Sequence, residues 1–193
     1  MISAILLAAG QSQRMKGQNK LLKHYKGKYL INHILNTLVK SKVNNIFLVL
    51  GFQNLKVRKI IIKSKKIQCI YNKKFKSGLS SSIQAGLNKI SKKNIGFLIV
   101  HADMPLISKG IINILCSVVK NKDKEIFVPV HKKKLGNPLA FKYSMIKSLK
   151  KISGDRGAKK LIKSNKSKVQ LVKMKSKSIL IDFDRLKDFP STT

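Results

Sequence analysis

Acidic residues are the scarcest feature of this sequence. Its 193 residues include only seven Asp and Glu against 42 Lys and Arg, so the formal net charge is +35 at pH 7. Such a charge ordinarily suggests a nucleic acid or an anionic membrane surface as partner. Here, however, the lysines are spread along the whole length, and neither a zinc-finger pattern nor an aromatic RNA-stacking signature accompanies them. We therefore expect weak, non-specific nucleic-acid binding at low salt and no specific nucleic-acid partner.

Other residue types and patterns are missing too. The chain has no Trp, and its two cysteines, Cys69 and Cys116, lie in apolar stretches without metal-ligand spacing. They are expected to be buried thiols in a reducing compartment. No apolar run approaches the roughly 18 residues of a membrane span, and no signal-peptide pattern precedes the first predicted strand. We expect a cytoplasmic protein without a membrane partner, built as a single domain over residues 1–193.

The few acids that remain are informative because any chemistry that needs carboxylates must use them. If acids have been removed from the surface, those retained are enriched for positions with a function. They are Asp103, Asp123, Glu125, Asp155, Asp182, Asp184 and Asp188.

Strand and helix patterns alternate along the chain. Apolar runs predict strands at 2–8, 45–50, 66–71, 95–100, 126–130 and 168–173, with a returning strand at 137–141. Amphipathic spacing predicts helices at 29–42, 54–63, 81–90, 109–120 and 158–163. A further helix is predicted after the returning strand and ends at about residue 152. This alternation predicts an α/β fold with a mostly parallel sheet that helices cover on both faces. Ligands bind such sheets beyond the carboxyl ends of the strands.

A polar loop that follows the first predicted strand has the features of a phosphate-binding loop. It contains Gly10, Ser12, Arg14, Gly17 and Lys20. Small residues let the backbone approach a ligand, and the two cations can neutralise a polyphosphate. Neither G-x-x-x-x-G-K-[ST] nor G-x-G-x-x-G fits the loop, so it is a phosphate loop of another type. Arg14 is one of four arginines in a lysine-rich chain, which favours a role that needs a planar guanidinium.

Carboxylates follow two later segments. Asp103 comes directly after a predicted strand, where it would either hold Mg²⁺ or cap the next helix. Ser108 is better placed for the cap, so the metal role is favoured for Asp103. Asp182 and Asp184 lie two apart on an extended segment and so point to one side, where a second carboxylate could complete the Mg²⁺ site. A capping role remains open for Asp182, and His101 is expected to be structural.

Two further polar clusters have alternative interpretations. Ser80, Ser81 and Ser82 would either cap the predicted helix at 81–90 or contact a ligand, and the sequence does not decide between these roles. Asp155 and Arg156 lie between two glycines. They would either pair with each other at a turn or, as we favour, face the substrate.

Together these stretches resemble the molybdenum-cofactor nucleotidyltransferases, and most closely the cytidylyltransferases. The matching runs are LAAG at 7–10 with Ser12, Arg14, Met15 and Lys20, GLSSSIQAGL at 78–87, ADMPLI at 102–107, GNP at 136–138, GDRGA at 154–158 and DFD at 182–184. The serine-rich run and GDRGA narrow the resemblance to the cytidylyl branch, since the guanylyl branch usually has a glycine in place of Ala9. The sequence departs from the family pattern at Lys16 and Ala102, where glycine is common, and at 185–188, where the family usually has Thr-Pro-Glu-Asp.

The resemblance implies a Rossmann-like three-layer α/β/α nucleotidyltransferase fold with an antiparallel strand in a mostly parallel sheet. It also implies transfer of CMP from CTP, or of another nucleotide from its NTP, to the terminal phosphate of molybdopterin, with Mg²⁺ as cofactor and release of pyrophosphate. A molybdoenzyme or its maturation chaperone is a further implied partner. The implied residues are Arg14, Lys20 and Asp103 for catalysis; Leu7, Ala8, Ala9, Gly10, Ser80, Ser81 and Ser82 for the nucleotide; Gly136, Asn137, Pro138, Asp155 and Arg156 for the acceptor; and Asp103 and Asp184 for the metal.

Two alternatives remain open from the sequence. One keeps the chemistry and changes the substrates, with GTP and the same pterin or with another phosphorylated acceptor. The other is a basic nucleic-acid-binding protein on a degenerate nucleotidyltransferase scaffold.

Overall fold

The computed structural model describes residues 1–15, 17–154 and 158–189. The strands are β1 Ile2–Ala8, β2 His24–Tyr25, β3 Lys28–Tyr29, β4 Asn45–Leu50, β5 Ile67–Tyr71, β6 Gly96–His101, β7 Ile126–His131, β8 Lys134–Leu135, β9 Leu139–Lys142 and β10 Val169–Lys173. The α-helices are α1 Leu30–Val39, α2 Asn54–Ile60, α3 Leu79–Leu87, α4 Lys109–Asn121, α5 Ile146–Lys150 and α6 Lys159–Ser164. Within the described ranges, no helix has both the length and the apolar character needed to cross a membrane.

The main sheet has the strand order β10-β7-β9-β6-β1-β4-β5, with β8 paired to β7. Strand β1 is central and runs parallel to β4 on one side and to β6 on the other. Strand β9 runs antiparallel to both of its neighbours, β6 and β7. The predicted α/β class, with a mostly parallel sheet and one returning strand, is confirmed.

The two faces of the sheet carry separate apolar layers. Side chains of β1 alternate between them: Ala4, Leu6 and Ala8 belong to one cluster, and Ile5 and Leu7 to the other. Helices α1 and α4 cover the first face, and α3 and α5 cover the second. All seven β1 residues are buried, which explains why this strand is apolar on both faces apart from Ser3, instead of alternating apolar and polar residues.

The strand predictions were accurate, whereas several helix boundaries were wrong. Strands β1 and β4 have the predicted bounds, and the other five predicted strands differ by one or two residues at one or both ends, whereas the two-residue strands β2, β3 and β8 were not predicted. Helix α1 is shorter than the predicted 29–42, because Tyr29 belongs to β3 and the helix already ends at Val39, with Lys40 at the C-cap position. Helix α3 begins at Leu79 instead of residue 81, with Gly78 at the N-cap position and no side-chain cap. The capping role for the serines is therefore wrong, because all three lie inside the helix.

Candidate active site

A cleft of about 430 Å³ opens where β1 and β6 end. This is the carboxyl edge of the parallel strands, where ligands of open α/β sheets bind. Among the residues predicted from the sequence, the cleft lining includes Leu7, Ala8, Ala9, Gly10, Ser12, Arg14, Lys20, Ser82, Asp103 and Asp184. The structure thus brings together the phosphate loop and the carboxylates from 80 to 170 residues further along the chain.

The loop between β1 and α1 is held in place by short 3-10 helices and by buried polar contacts. Met15 is buried beneath the first of these helices, which carries Arg14 on its surface. Asn19 caps the second one by accepting a hydrogen bond from the Leu21 N–H, and its amide donates to the Phe52 carbonyl. The backbone N–H of Lys20 donates to the Ser12 hydroxyl. The backbone of Lys20 is therefore fixed, whereas its side chain reaches into the cleft.

A chain of ion pairs crosses the floor of the cleft. The Lys20 ammonium lies 2.5 Å from Asp103 Oδ2 and 2.5 Å from Asp184 Oδ1. Arg14 Nη1 donates to the other carboxylate oxygen of Asp184 at 2.8 Å. The Lys20 and Asp103 side chains are only 14% and 18% exposed, whereas Arg14 is 65% exposed. The Lys20 contacts are therefore much less screened by solvent than the Arg14 contact.

The surroundings of the cleft shift the pKa values of Lys20, Asp182 and Asp184. Burial acts to lower the pKa of Lys20, but the Asp103 and Asp184 carboxylates outweigh it and the pKa is raised. Burial acts to raise the pKa of Asp184, but its contacts with Lys20 and Arg14 outweigh it, so the pKa is lowered. Burial, reinforced by the negative charges of Asp184 and Asp103, raises the pKa of Asp182. The Lys20 ammonium and the Asp184 carboxylate are thus charged near neutral pH.

The two carboxylate-bearing segments are joined by backbone and aromatic contacts. The Phe183 N–H donates to the Asp103 carbonyl at 2.8 Å. The Phe183 ring packs edge-on against Tyr25 of β2 and against Phe189. A capping aspartate does exist here, but it is Asp188, which accepts from the backbone N–H of Asp184. The Asp184 side chain therefore faces Lys20, whereas Asp182 is exposed.

The three serines have different surroundings. Ser82 lines the cleft. Ser80 is buried and its N–H donates to the Gly154 carbonyl. The Ser81 hydroxyl bonds to the Gly78 carbonyl, and Asn72 donates to the hydroxyls of both Ser81 and Ser82. Among these serines, only Ser82 is placed to contact a ligand in the cleft.

Of the predicted acceptor residues, Gly136, Asn137 and Pro138 lie outside the cleft lining. Gly136 and Asn137 donate backbone hydrogen bonds to Pro129 and Ile179, and the Asn137–Pro138 peptide is cis. They come just before β9, whose first residue pairs with Ile99 of β6, so they lie at the same edge of the sheet as the cleft. Asp155 and Arg156 lie outside the described residues.

Sequence reasoning missed some residues of the cleft. Gln11, Gln13 and Phe75 line it, as does His101, which was interpreted as only structural. Phe75 carries the one available signal, since it is a lone aromatic residue in a lysine-rich loop. Gly51 lets the Phe75 side chain pack against its backbone, because a Cβ at Gly51 would lie 2.5 Å from Phe75 Cβ.

The chain matches the family model described as MobA-like NTP transferase domain over residues 4–170. It is 32% identical over 139 residues to a protein of Clostridium perfringens named probable molybdenum cofactor guanylyltransferase, covering 69% of this chain and 61% of that protein. It is 30% identical over 146 residues to the adenosylcobinamide-phosphate guanylyltransferase of Methanocaldococcus jannaschii, covering 71% of this chain and 72% of that protein. The match spans less of two other curated relatives: 28% of a 2-C-methyl-D-erythritol 4-phosphate cytidylyltransferase and 26% of a bifunctional GlmU protein.

Solved structures agree with the fold. The crystal structure of Rv0371c from Mycobacterium tuberculosis superposes with a TM-score of 0.86 at 22% identity, covering 97% of this chain and 94% of that one. That protein has also been solved in complex with manganese. With the family model covering most of its length, this chain belongs to the MobA-like NTP transferase domain family.

Proposed function

We propose that this chain is a nucleotidyltransferase that transfers a nucleoside monophosphate from an NTP to a phosphorylated acceptor and releases pyrophosphate. The observation that carries the proposal is the floor of the cleft, where two cations meet two carboxylates beside the backbone at the end of β1. Family membership and the names of the curated relatives support the same reaction class.

In this proposal, Arg14 and Lys20 hold the triphosphate and neutralise the pyrophosphate as it leaves. A guanidinium offers two parallel donors to phosphate oxygens, and an ammonium offers a movable point charge. The backbone of Ala8, Ala9 and Gly10 approaches the base and ribose, because none of these residues has a side chain larger than a methyl group. Ser82 borders the same space.

The donor set of the cleft fits Mg²⁺. Asp103 and Asp184 lie close enough to share one cation, since each places an oxygen 2.5 Å from the Lys20 ammonium. In the described part of the chain, no group of three or more His, Cys, Asp or Glu could form a metal site. Two carboxylates are what Mg²⁺ typically takes from a protein when substrate phosphates supply other ligands. The bound ion would offset the negative charge of the phosphates.

The reaction needs no general base. A phosphate oxygen of the acceptor attacks the α-phosphorus, and the bond from that phosphorus to the bridging oxygen of the β-phosphate breaks. The attacking oxygen is already ionised at neutral pH, so the work of the protein is to position the groups and neutralise their charge.

For the substrates, we propose CTP and molybdopterin, on the strength of the sequence resemblance to the cytidylyl branch. Ala9 occupies the position where the guanylyl branch usually has glycine. GMP transfer is the second candidate, because two curated relatives that match most of this chain are named guanylyltransferases. The fold and the chemistry of the cleft are the same in both cases.

Pyrophosphate release tests the proposal. The protein is incubated with CTP, GTP, ATP or UTP, each with Mg²⁺ and with or without metal-loaded molybdopterin. We expect release that needs the acceptor and is fastest with CTP. Faster release with GTP would favour the second candidate. If none of the four nucleotides gave pyrophosphate release, and the protein bound nucleic acid in a salt-sensitive way, the result would support a binding protein on a degenerate scaffold.

A further inference from the structure

We propose that Lys20 serves as an internal cation for the Asp103–Asp184 pair, so that a divalent metal and Lys20 compete for the same carboxylates. Tight metal binding then requires Lys20 to move away, which phosphate groups promote by binding its ammonium. This inference rests on the proposed function, in which these two carboxylates hold the metal and Lys20 binds phosphate.

The geometry supports direct competition. One ammonium nitrogen lies 2.5 Å from an oxygen of each carboxylate, so these two oxygens are no further apart than twice that distance. A cation that bridges the same oxygens must lie in the space that the Lys20 ammonium occupies. Arg14 does not block that space, because it contacts the opposite oxygen of Asp184 and is mostly exposed.

The local charges make the competition strong. Lys20 and Asp103 are largely buried, so solvent and salt screen their attraction less than they screen a surface pair. For the same reason, a divalent ion placed beside the ammonium would be repelled by it. Binding of the metal without a phosphate ligand therefore includes the cost of separating Lys20 from two carboxylates.

Lys20 is built to make this movement. Its backbone is fixed by the Asn19 cap and by its bond to Ser12, as described above. Its four-carbon side chain can still rotate, so the ammonium can shift within the cleft without moving the loop. A phosphate group in the cleft would offer it a new anionic partner. Metal and phosphate would then each favour binding of the other, as thermodynamic linkage requires.

Mn²⁺ binding without nucleotide or acceptor tests the inference, measured from the free Mn²⁺ signal in electron paramagnetic resonance. Lys20→Met removes the ammonium and keeps a chain of similar length. We expect this variant to bind Mn²⁺ about tenfold more tightly than the unaltered protein, or better. Adding Asp103→Asn should abolish the gain, which would locate the ion at this pair.

Lys76→Met is the matched control. Lys76 lines the same cleft and is exposed, and its ammonium pairs with no carboxylate of the described residues. Lys76→Met removes the same charge as Lys20→Met. Because Lys76 is exposed, its charge is screened by solvent and salt, and the variant should change Mn²⁺ affinity by less than about twofold. If Lys76→Met and Lys20→Met changed Mn²⁺ affinity equally, the change would come from the lost net charge alone, and the inference would be overturned. An unchanged Mn²⁺ affinity in folded Lys20→Met would overturn it as well.

A second measurement uses the unaltered protein and so does not depend on how the variant folds. Sulfate serves as the phosphate stand-in and binds Mn²⁺ only weakly itself. We expect sulfate to tighten Mn²⁺ binding relative to chloride at matched ionic strength, because sulfate draws Lys20 away from the carboxylates. Equal affinities in the two salts would contradict the inference. Neither measurement involves turnover, so the pyrophosphate assay can fail or succeed independently of them.

Discussion

Asp182 and Asp184 lie on either side of one buried aromatic residue in the sequence, and their side chains have different surroundings. The Phe183 ring packs into the core, and its N–H is bound to the Asp103 carbonyl, so the chain is held in one orientation at this point. Asp184 then faces Lys20 and Arg14, and Asp182 is exposed to solvent. Sequence spacing predicted that both carboxylates point to one side, and it therefore could not choose between them. The contact with Lys20 favours Asp184 as the proposed metal ligand.

The first prediction follows from that difference. Asp103→Asn and Asp184→Asn should each lower Mg²⁺-dependent turnover by about a hundredfold or more, because each removes a proposed metal ligand. Asp182→Asn should retain most of the activity. Steady-state rates of pyrophosphate release measure all three. Asp123→Asn is the control, since Asp123 is exposed and lies beyond the far end of α4. Full activity in Asp103→Asn would remove the metal assignment.

The two cysteines should differ in reactivity. Burial raises the pKa of Cys116 to about 11, so about one thiol in a thousand is ionised at pH 8. Cys69 is only half-buried, although burial raises its pKa too. We expect iodoacetamide at pH 8 to alkylate Cys69 first and Cys116 only in denaturant, as followed by intact mass. A Cys69→Ser variant that still reacts rapidly when folded would contradict this expectation.

At the scale of elements, the accuracy of the sequence predictions depended on the length of the pattern. Strands β1 and β4 each contain only one polar residue, Ser3 and Asn45, and both were located with their true ends. The β2–β3 pair was missed because two-residue strands show no periodicity. The sequence carries one signal for its turn, which is Gly27 between two short polar-aromatic segments; in the structure both Lys26 and Gly27 have positive φ. The pair matters for the site because it carries Tyr25, which packs against Phe183.

The same limit applied to the site. The cations and carboxylates could be predicted because their residue types are rare or fit phosphate chemistry. The Lys20–Asp103–Asp184 contacts could not, because they join segments that only the sheet order brings together.

The start of α3 was misplaced for a different reason. A serine run after glycine is typical of an N-cap, but here Gly78 takes that position and the helix begins one residue later.

The packing of α3 on β1 gives a stability prediction. A methyl group at Gly86 would overlap the Ile5 side chain, which is fully buried in the central strand. Gly86→Ala should therefore lower the free energy of unfolding by about 1–3 kcal/mol, as overpacked cores do. Urea denaturation measures the change.

Gly110→Ala is the matched helical control for Gly86→Ala. A Cβ at Gly110 in α4 would approach only Ser108 Oγ, at an ordinary 3.6 Å. Alanine is also favoured over glycine in a helix, so this variant should raise the free energy of unfolding by about 0.5–1 kcal/mol. If Gly86→Ala were as stable as Gly110→Ala, the close approach of α3 to β1 would be wrong.

For the whole molecule, the charge is very uneven. The chain carries +35, yet three of its seven acids, Asp103, Asp182 and Asp184, belong to the segments that meet at the cleft. Lysines elsewhere are spread over the whole chain, which is consistent with a general surface role. The question for function is whether this charge attracts anionic substrates as a whole or only through lysines beside the cleft.

Salt and two matched variants separate these possibilities. The second-order rate constant for association of the nucleotide with the protein should fall as KCl rises from about 0.05 M to about 0.5 M. The reason is that salt screens electrostatic attraction over distances beyond the Debye length. Lys76→Gln and Lys120→Gln carry the same net charge, but Lys76 lines the cleft and Lys120 lies in the last turn of α4, at the opposite edge of the sheet. We expect Lys76→Gln to lower the low-salt rate constant severalfold and Lys120→Gln to leave it nearly unchanged, with the difference disappearing at high salt. Equal losses in the two variants would mean that net charge alone attracts the substrate and that the position of each lysine does not matter.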